Sequence, residues 1–194
     1  MKAKMRIAIN ALSARTGGGV VYLRNLIREF IERDDDHSYI VFATAKNRKK
    51  VVPEEHRRLT VIEIGTSSRL VRLLYEQTIL PILLAVHGAD VVFAPAEIAP
   101  MLSPCPIVLG LQNANIYQKD SLKRDAGDRL RNALLFRLAW LSVRRARELV
   151  FISEKARRLI ATALGVCPQQ GTVVHHGVDP IFHQGAEGVA ARKS

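Results

Sequence analysis

Cysteine is scarce in this 194-residue chain. The two present, Cys105 and Cys167, each sit beside a proline and form no Cys-x-x-Cys or Cys/His ligand spacing. A disulfide framework and a zinc site are therefore not expected, and a reducing, cytosolic compartment is. Aromatic residues make up only 6% of the chain, too few to interleave with basic residues as single-stranded nucleic-acid binders require, and no helix-turn-helix, RRM or KH signature occurs. Long hydrophobic runs are missing too. The longest, residues 78–86 and 133–143, are interrupted by Pro81 and Arg137 and fall short of the ~20 residues of a membrane span. Met1-Lys2-Ala3-Lys4-Met5-Arg6 leads into a strand-like run rather than a signal-peptide core, so secretion is not expected.

Acid is the other deficit: 18 Asp and Glu stand against 29 Lys and Arg, a net charge of +11. Between Lys119 and Arg158 there are 12 basic and 5 acidic residues, so this stretch alone carries +7. A concentrated positive field suits a phosphate-bearing partner: nucleic acid, an anionic membrane surface or a phosphorylated substrate. A solvated helix face that keeps the protein soluble accounts for it equally. With 48% hydrophobic residues the chain can bury a sizeable core without staples.

Seven short runs rich in Val and Ile read as strands: Met5–Asn10, Tyr39–Thr44, Thr60–Ile64, Asp90–Ala94, Ile107–Leu111, Glu148–Ile152 and Thr172–His175. They are largely apolar on both faces, as strands of a parallel sheet covered on both sides should be. Helical patterns separate them. Residues 19–33 place Val20, Leu23, Ile27 and Phe30 on one stripe, and residues 69–86 form a second helix expected to bend or split at Pro81. A third, about 128–147, has Leu130, Leu134, Leu138 and Leu141 as its expected buried row. The last starts at Ser153, an N-cap with Glu154 favourably placed at the helix dipole, and stops at Gly165. This alternation predicts an α/β fold with a doubly wound, mainly parallel Rossmann-like sheet over residues 1–182, followed by a loose tail over 183–194.

Candidate ligand-binding residues fall at the carboxyl ends of these strands, where open α/β sheets place their ligands. Gly17-Gly18-Gly19 follows the first strand and enters a helix, so it fits either a phosphate-approach loop or a plain flexible turn. Its spacing matches neither the dinucleotide fingerprint nor a P-loop. Gln112-Asn113 can bind hydroxyls or phosphate oxygens but cannot move protons, and an Asx-type turn explains the pair as well. Glu97 can take a hydroxyl or a basic side chain, or stand as a solvated loop acid. His175 and His176, adjacent on an expected strand, point to opposite faces and do not share a metal ion easily. No hydrolase signature is present.

In order and spacing these segments resemble the group-1, or family 4, glycosyltransferases of the GT-B fold. The resemblance is carried by Ile7-Ala8-Ile9-Asn10 through Gly17-Gly18-Gly19 to Leu26, by Tyr75-Glu76-Gln77 with Leu80-Pro81, and by Gly88-Ala89-Asp90 through Ala96. It continues in Val150-Phe151-Ile152-Ser153-Glu154-Lys155 and in Val173-Val174-His175-His176-Gly177-Val178-Asp179, and covers residues 5–182.

The resemblance implies one half of a GT-B enzyme, the acceptor-side domain of a retaining transferase. Such an enzyme moves a sugar from a nucleotide-diphosphate sugar to a glycan or lipid-linked acceptor, without a metal or other cofactor. Gly18 and Gly19 would contact the donor; Glu97, Gln112 and Asn113 would face the acceptor cleft. His176, Gly177 and Asp179 would belong to the segment leading to the second domain. Many members carry His-Asp where this chain has Gln112-Asn113. The family's E-x7-E motif and basic phosphate-binding residues belong to a second domain that these 194 residues do not contain, so transfer is expected to need that domain as a partner. The alternative is a non-catalytic Rossmann-like module that docks on a separate partner. The expected location is the cytoplasm, with an anionic membrane face as a further partner.

Overall fold

The computed structural model describes residues 4–15, 17–33, 36–52, 54–65, 68–112, 126–166 and 171–177. Seven strands alternate with helices in the order β1 (Arg6–Asn10), α1 (Gly18–Glu32), β2 (Ser38–Thr44), α2 (Arg48–Val51), β3 (Leu59–Ile64), α3 (Arg69–Val86), β4 (Val91–Ala94), β5 (Ile107–Leu111), α4 (Ala126–Arg145), β6 (Glu148–Phe151), α5 (Glu154–Leu164) and β7 (Thr172–Val173). All neighbouring strands pair in parallel, in the order β3-β2-β1-β4-β5-β6-β7. Each expected strand is present, and the fold is the doubly wound α/β sheet that the alternation predicts.

The two faces of the sheet build two cores. Ile9, Val41 and Ala43 pack with Val20, Leu23 and Ile27 of α1 and Val51 of α2. On the opposite face Ala8, Phe42, Val92 and Leu109 pack with Leu80 and Leu84 of α3, Val143 of α4 and Ile160 and Leu164 of α5. Successive side chains of one strand serve opposite cores, which is why these strands are largely apolar rather than alternating.

Several expectations need correction. Helix α3 is not split at Pro81: it is helical from Arg69 to Val86. Leu80, Pro81 and Leu84 are buried on the sheet, and that packing outweighs the one backbone hydrogen bond the ring removes. The expected buried row of α4 is also wrong. Ala139, Ser142 and Val143 are buried, whereas Leu134 and Leu141 are 49% and 41% exposed; Leu138 is half-buried and the side chain of Leu130 lies outside those described. Val143 joins the core under the sheet and Ser142 bonds the loop after β4, so the leucines are left to flank these contacts. Strand β7 ends at Val173, so His175 and His176 lie beyond it. The four-residue α2 has no periodic signal long enough to be read from sequence. The 183–194 tail, Asn113, Asp179 and Cys167 lie outside the described residues.

Candidate functional site

The strand order reverses between β1 and β4: the chain leaves β1 toward β2 and leaves β4 toward β5. Loops that part in this way open a crevice at the strands' carboxyl ends. A cleft of about 430 Å³ lies there. Ser13, Ala14, Arg15 and Gly19 form one wall, and Pro95, Ala96, Glu97 and Ile98 form the other. Tyr22 and Leu23 of α1, Arg72 and Glu76 of α3, Gln112 at the end of β5, and Leu135 and Ala139 of α4 complete the lining.

Both walls are fastened by buried amides and hydroxyls. Asn47 is 2% exposed. Its Nδ2 donates to the carbonyls of Ala11 (2.8 Å) and Ala14 (2.5 Å), and its Oδ1 accepts from the Thr44 N–H. Asn47 thus holds the β1–α1 loop. The opposite loop is gripped from two helices. Gln77 donates through Nε2 to Ala99 O and accepts from Met101 N–H, both at 3.0 Å, while the Ser142 hydroxyl accepts from Ala99 N–H at 3.0 Å. Gly110 lets this loop lie close: a Cβ there would stand 3.0 Å from the Pro95 Cα.

The sequence-derived candidates separate into those the fold brings together and those it does not. Gly19 lines the cleft and Gly18 precedes it at the start of α1. Gly17 is the residue of this run that needs to be glycine for conformational reasons, with φ 67° and ψ −146°. A Cβ on Gly18 or Gly19 would meet no protein atom within 4 Å, so the space there is open. Helix α1 starts with no side-chain cap and no acid in its first turn, leaving its positive dipole end unneutralised. Glu97 and Gln112 do meet: the Gln112 N–H donates to Glu97 Oε1 at 3.2 Å, and Glu97 itself is held at φ 24°, a strained conformation for a non-glycine residue. His176 stands apart from this polar group. Its ring stacks on Tyr22 with centroids 4.5 Å apart, packing the segment beyond β7 against α1, and the partial burial of the ring lowers its pKa. Gly177 is exposed beside it.

The residue that sequence reasoning passed over is Glu76. Its Oε1 accepts from Asn10 Nδ2 at 3.4 Å and its Oε2 lies 3.9 Å from Arg72 Nε, yet it is only 4% exposed. Burial pushes its carboxyl up to about 7, against the opposing pull of Arg72 and Asn10. Arg72 Nε is itself buried without a hydrogen-bond partner among the described residues. A signal existed: Glu76, Leu80 and Leu84 recur at four-residue spacing, placing the acid on the stripe that faces the core. The cleft therefore joins an open helix N-terminus, two arginines, and two carboxyl groups in different environments. That array can hold anionic and hydroxyl-bearing groups and carry a proton near neutrality. Among the described residues no three His, Cys, Asp or Glu side chains come together to hold a metal, and no helix is long and apolar enough to cross a membrane.

The solved structures similar to this chain include Anabaena Alr3699/HepE with UDP and glucose, at 18% identity and a TM-score of 0.59, covering 92% of this chain and 46% of that one. The apo form of the lipopolysaccharide outer core galactosyltransferase WaaB is similar at 16% identity and a TM-score of 0.58, over 90% of this chain and 46% of that one. UDP-N-acetylglucosamine 2-epimerase from Rickettsia bellii, at 11% identity and a TM-score of 0.56 over 97% and 49%, shares the fold as well. At these identities the likeness shows the fold alone, and the chain spans about half the length of each. No curated protein sequence matches it. The profile of Glycosyltransferase Family 4 matches residues 16–182. The chain belongs to Glycosyltransferase Family 4, with the Rossmann-like fold of one half, the N-terminal one, of a GT-B glycosyltransferase.

Proposed function

We propose that this chain is the acceptor-side domain of a retaining glycosyltransferase that moves a sugar from a nucleotide-diphosphate sugar to a glycan or lipid-linked acceptor. The observation that carries this reading is the cleft at the β1/β4 reversal, where the start of α1, Arg15, Arg72, Glu97 and Glu76 line one space. The α1 N-terminus offers unpaired N–H groups to the donor's phosphates through Gly18 and Gly19, stabilising the negative charge that builds on the departing nucleoside diphosphate. Glu97 and Gln112 position an acceptor hydroxyl, and Glu76, poised near neutrality, exchanges the proton that hydroxyl must lose. Neighbours of the same fold have been solved with UDP, glucose and UDP-glucose, which supports a uridine nucleotide as the first donor to try. The rest of the donor site comes from a second domain.

The test is sugar transfer from labelled nucleotide-diphosphate sugars, with and without a separately produced family 4 donor domain. Label should enter the acceptor only with both parts present, and Gly19→Ala, whose Cβ meets no protein atom, should lower transfer without unfolding the chain. Transfer unaffected by Gly19→Ala, or none with any donor, overturns the reading.

A second reading, a non-catalytic module that docks on a partner, is favoured by one feature. Leu70, Leu74, Ile82 and Val86 run along α3 and are 58–73% exposed, an apolar ridge of the kind that marks association. Light scattering coupled to size exclusion checks it: a monomer at all concentrations counts against this reading.

A further inference from the structure

The outer face of α3 differs from the rest of the surface. In a chain with 24% charged residues, the only charges between Leu70 and Val86 are Arg72 and Glu76, and both turn toward the cleft. What the helix shows to solvent is apolar and is spaced symmetrically about Thr78. Four residues to either side stand Leu74 and Ile82, 65% and 58% exposed; eight to either side stand Leu70 and Val86, 68% and 73% exposed. Seven to either side stand Val71 and Ala85, exposed as well. Thr78 at the centre is exposed, and its hydroxyl donates to Leu74 O at 2.8 Å. Covering it therefore strands no polar hydrogen.

From this arrangement we infer that α3 is the contact of a symmetric dimer, in which two copies of this chain cross antiparallel at Thr78. A two-fold axis between antiparallel helices pairs residues that lie equally far from the crossing point. Leu74 of one copy then meets Ile82 of the other, with Leu70 directed toward Val86 and Val71 toward Ala85. Such a contact is self-complementary and closed. The four-residue spacing makes one ridge from Leu70 to Val86, and ridges of this kind interdigitate at about −50° with axes roughly 8–10 Å apart. The small Thr78 admits that approach. Helix α3 has no acid in its first turn and no base in its last, so both poles of its dipole are uncompensated. An antiparallel copy, unlike a parallel one, brings opposite poles to the same side. An anionic bilayer would call for cations around the apolar side chains, and the described side chains of this face include none. An unrelated protein would not call for equal spacing about one residue. Because Arg72 and Glu76 face away from the ridge, the dimer leaves the cleft open. The inference goes beyond the proposed transfer and does not rest on it, so either can fail alone.

Sedimentation velocity of the whole chain over a dilution series in the micromolar range tests this, and should show a dimer that dissociates on dilution. Thr78→Arg sets two like charges together at the axis and should raise the dissociation constant on the order of 100-fold. Thr162→Arg makes the same exchange at an exposed position of α5 and should leave the constant unchanged. The crossing point is read separately. Thr78→Cys places a thiol on the axis, where the two Cα atoms come within the roughly 4.4–6.8 Å that a disulfide spans. Mild oxidation should link this variant to its copy well above the parent, whose Cys105 is buried. A monomer at every concentration, a dimer that Thr78→Arg leaves intact, equal loss with Thr162→Arg, association only with a separately produced donor domain, or no added cross-link from Thr78→Cys would overturn the inference.

Discussion

Helices α4 and α5 follow one another against the same face of the sheet, and only α5 behaves as a simple amphipathic helix. It buries Ala156, Ile160, Ala161 and Leu164 in one stripe. Its ends are specified as well: the Ser153 hydroxyl accepts from Ala156 N–H at 3.1 Å, and Gly165 closes the helix in the left-handed conformation at φ 62°. Helix α4 buries small residues, Ala139 and Ser142 with Val143, and leaves Leu134, Phe136, Trp140 and Leu141 half in solvent. One apolar stripe needs one partner, the sheet. Apolar residues on two sides of a helix need two, and the sheet supplies only one of them.

The comparison can be broken or sharpened by substitution. The largest effect is expected in α5, where Ile160→Ala opens a cavity in the core and should cost about 2–5 kcal/mol in urea unfolding. A loss below 1 kcal/mol would mean that α5 is not part of the cooperative core. Next comes Glu76, on the stripe where α3 meets the core. Its folded pKa of about 7 exceeds the ordinary 4.5, so the folded state holds the proton more tightly than the unfolded one. Ionising Glu76 therefore costs stability, starting above about 4.5 and reaching its full value above about 7. Glu76→Gln should be more stable than the parent at about pH 8, by on the order of 3 kcal/mol, and should match it near pH 4. Parallel urea titrations at the two pH values read this, and a variant less stable at both would show that the carboxylate is well paired by Arg72.

Smaller effects follow. Ser153→Ala removes the α5 cap and should cost about 1 kcal/mol, read as a shift in the unfolding midpoint. Trp140→Ala on the outer face of α4 should cost on the order of 1 kcal/mol in solution, since the ring is 37% exposed and loses partial packing together with its stacking contact with Arg144. A larger loss would place Trp140 in the core and remove the distinction between the two helices.

How much of this was legible in the sequence divides along the same line. Strands were readable because a parallel sheet covered on both faces demands short runs rich in Val and Ile, most nearly continuous in the central strands, and α5 because its cap, stripe and terminal glycine agree. Helix α4 misled because four leucines at helical spacing look like a core row, while the buried side is Ala139 on the cleft, Ser142 bonded to the β4–β5 loop and Val143 in the core. Of the cleft lining, Glu97 and Gln112 were legible because they follow strand ends, and Gly19 because it belongs to a glycine run opening a helix. Glu76 was missed as a site residue because it lies within a helix, and Asn47 because its role in holding Ala11 and Ala14 depends on a loop contact 33–36 residues away.

The most direct test of the central claim, that the cleft at the β1/β4 reversal receives the sugar donor, is a backbone NMR titration of the chain with UDP-glucose, repeated with Gly19→Ala. The account predicts shifts concentrated at Gly18, Gly19 and the first turn of α1, which weaken in the variant while the rest of its spectrum is kept. Shifts centred away from that cleft, or a response the variant leaves unchanged, would contradict it.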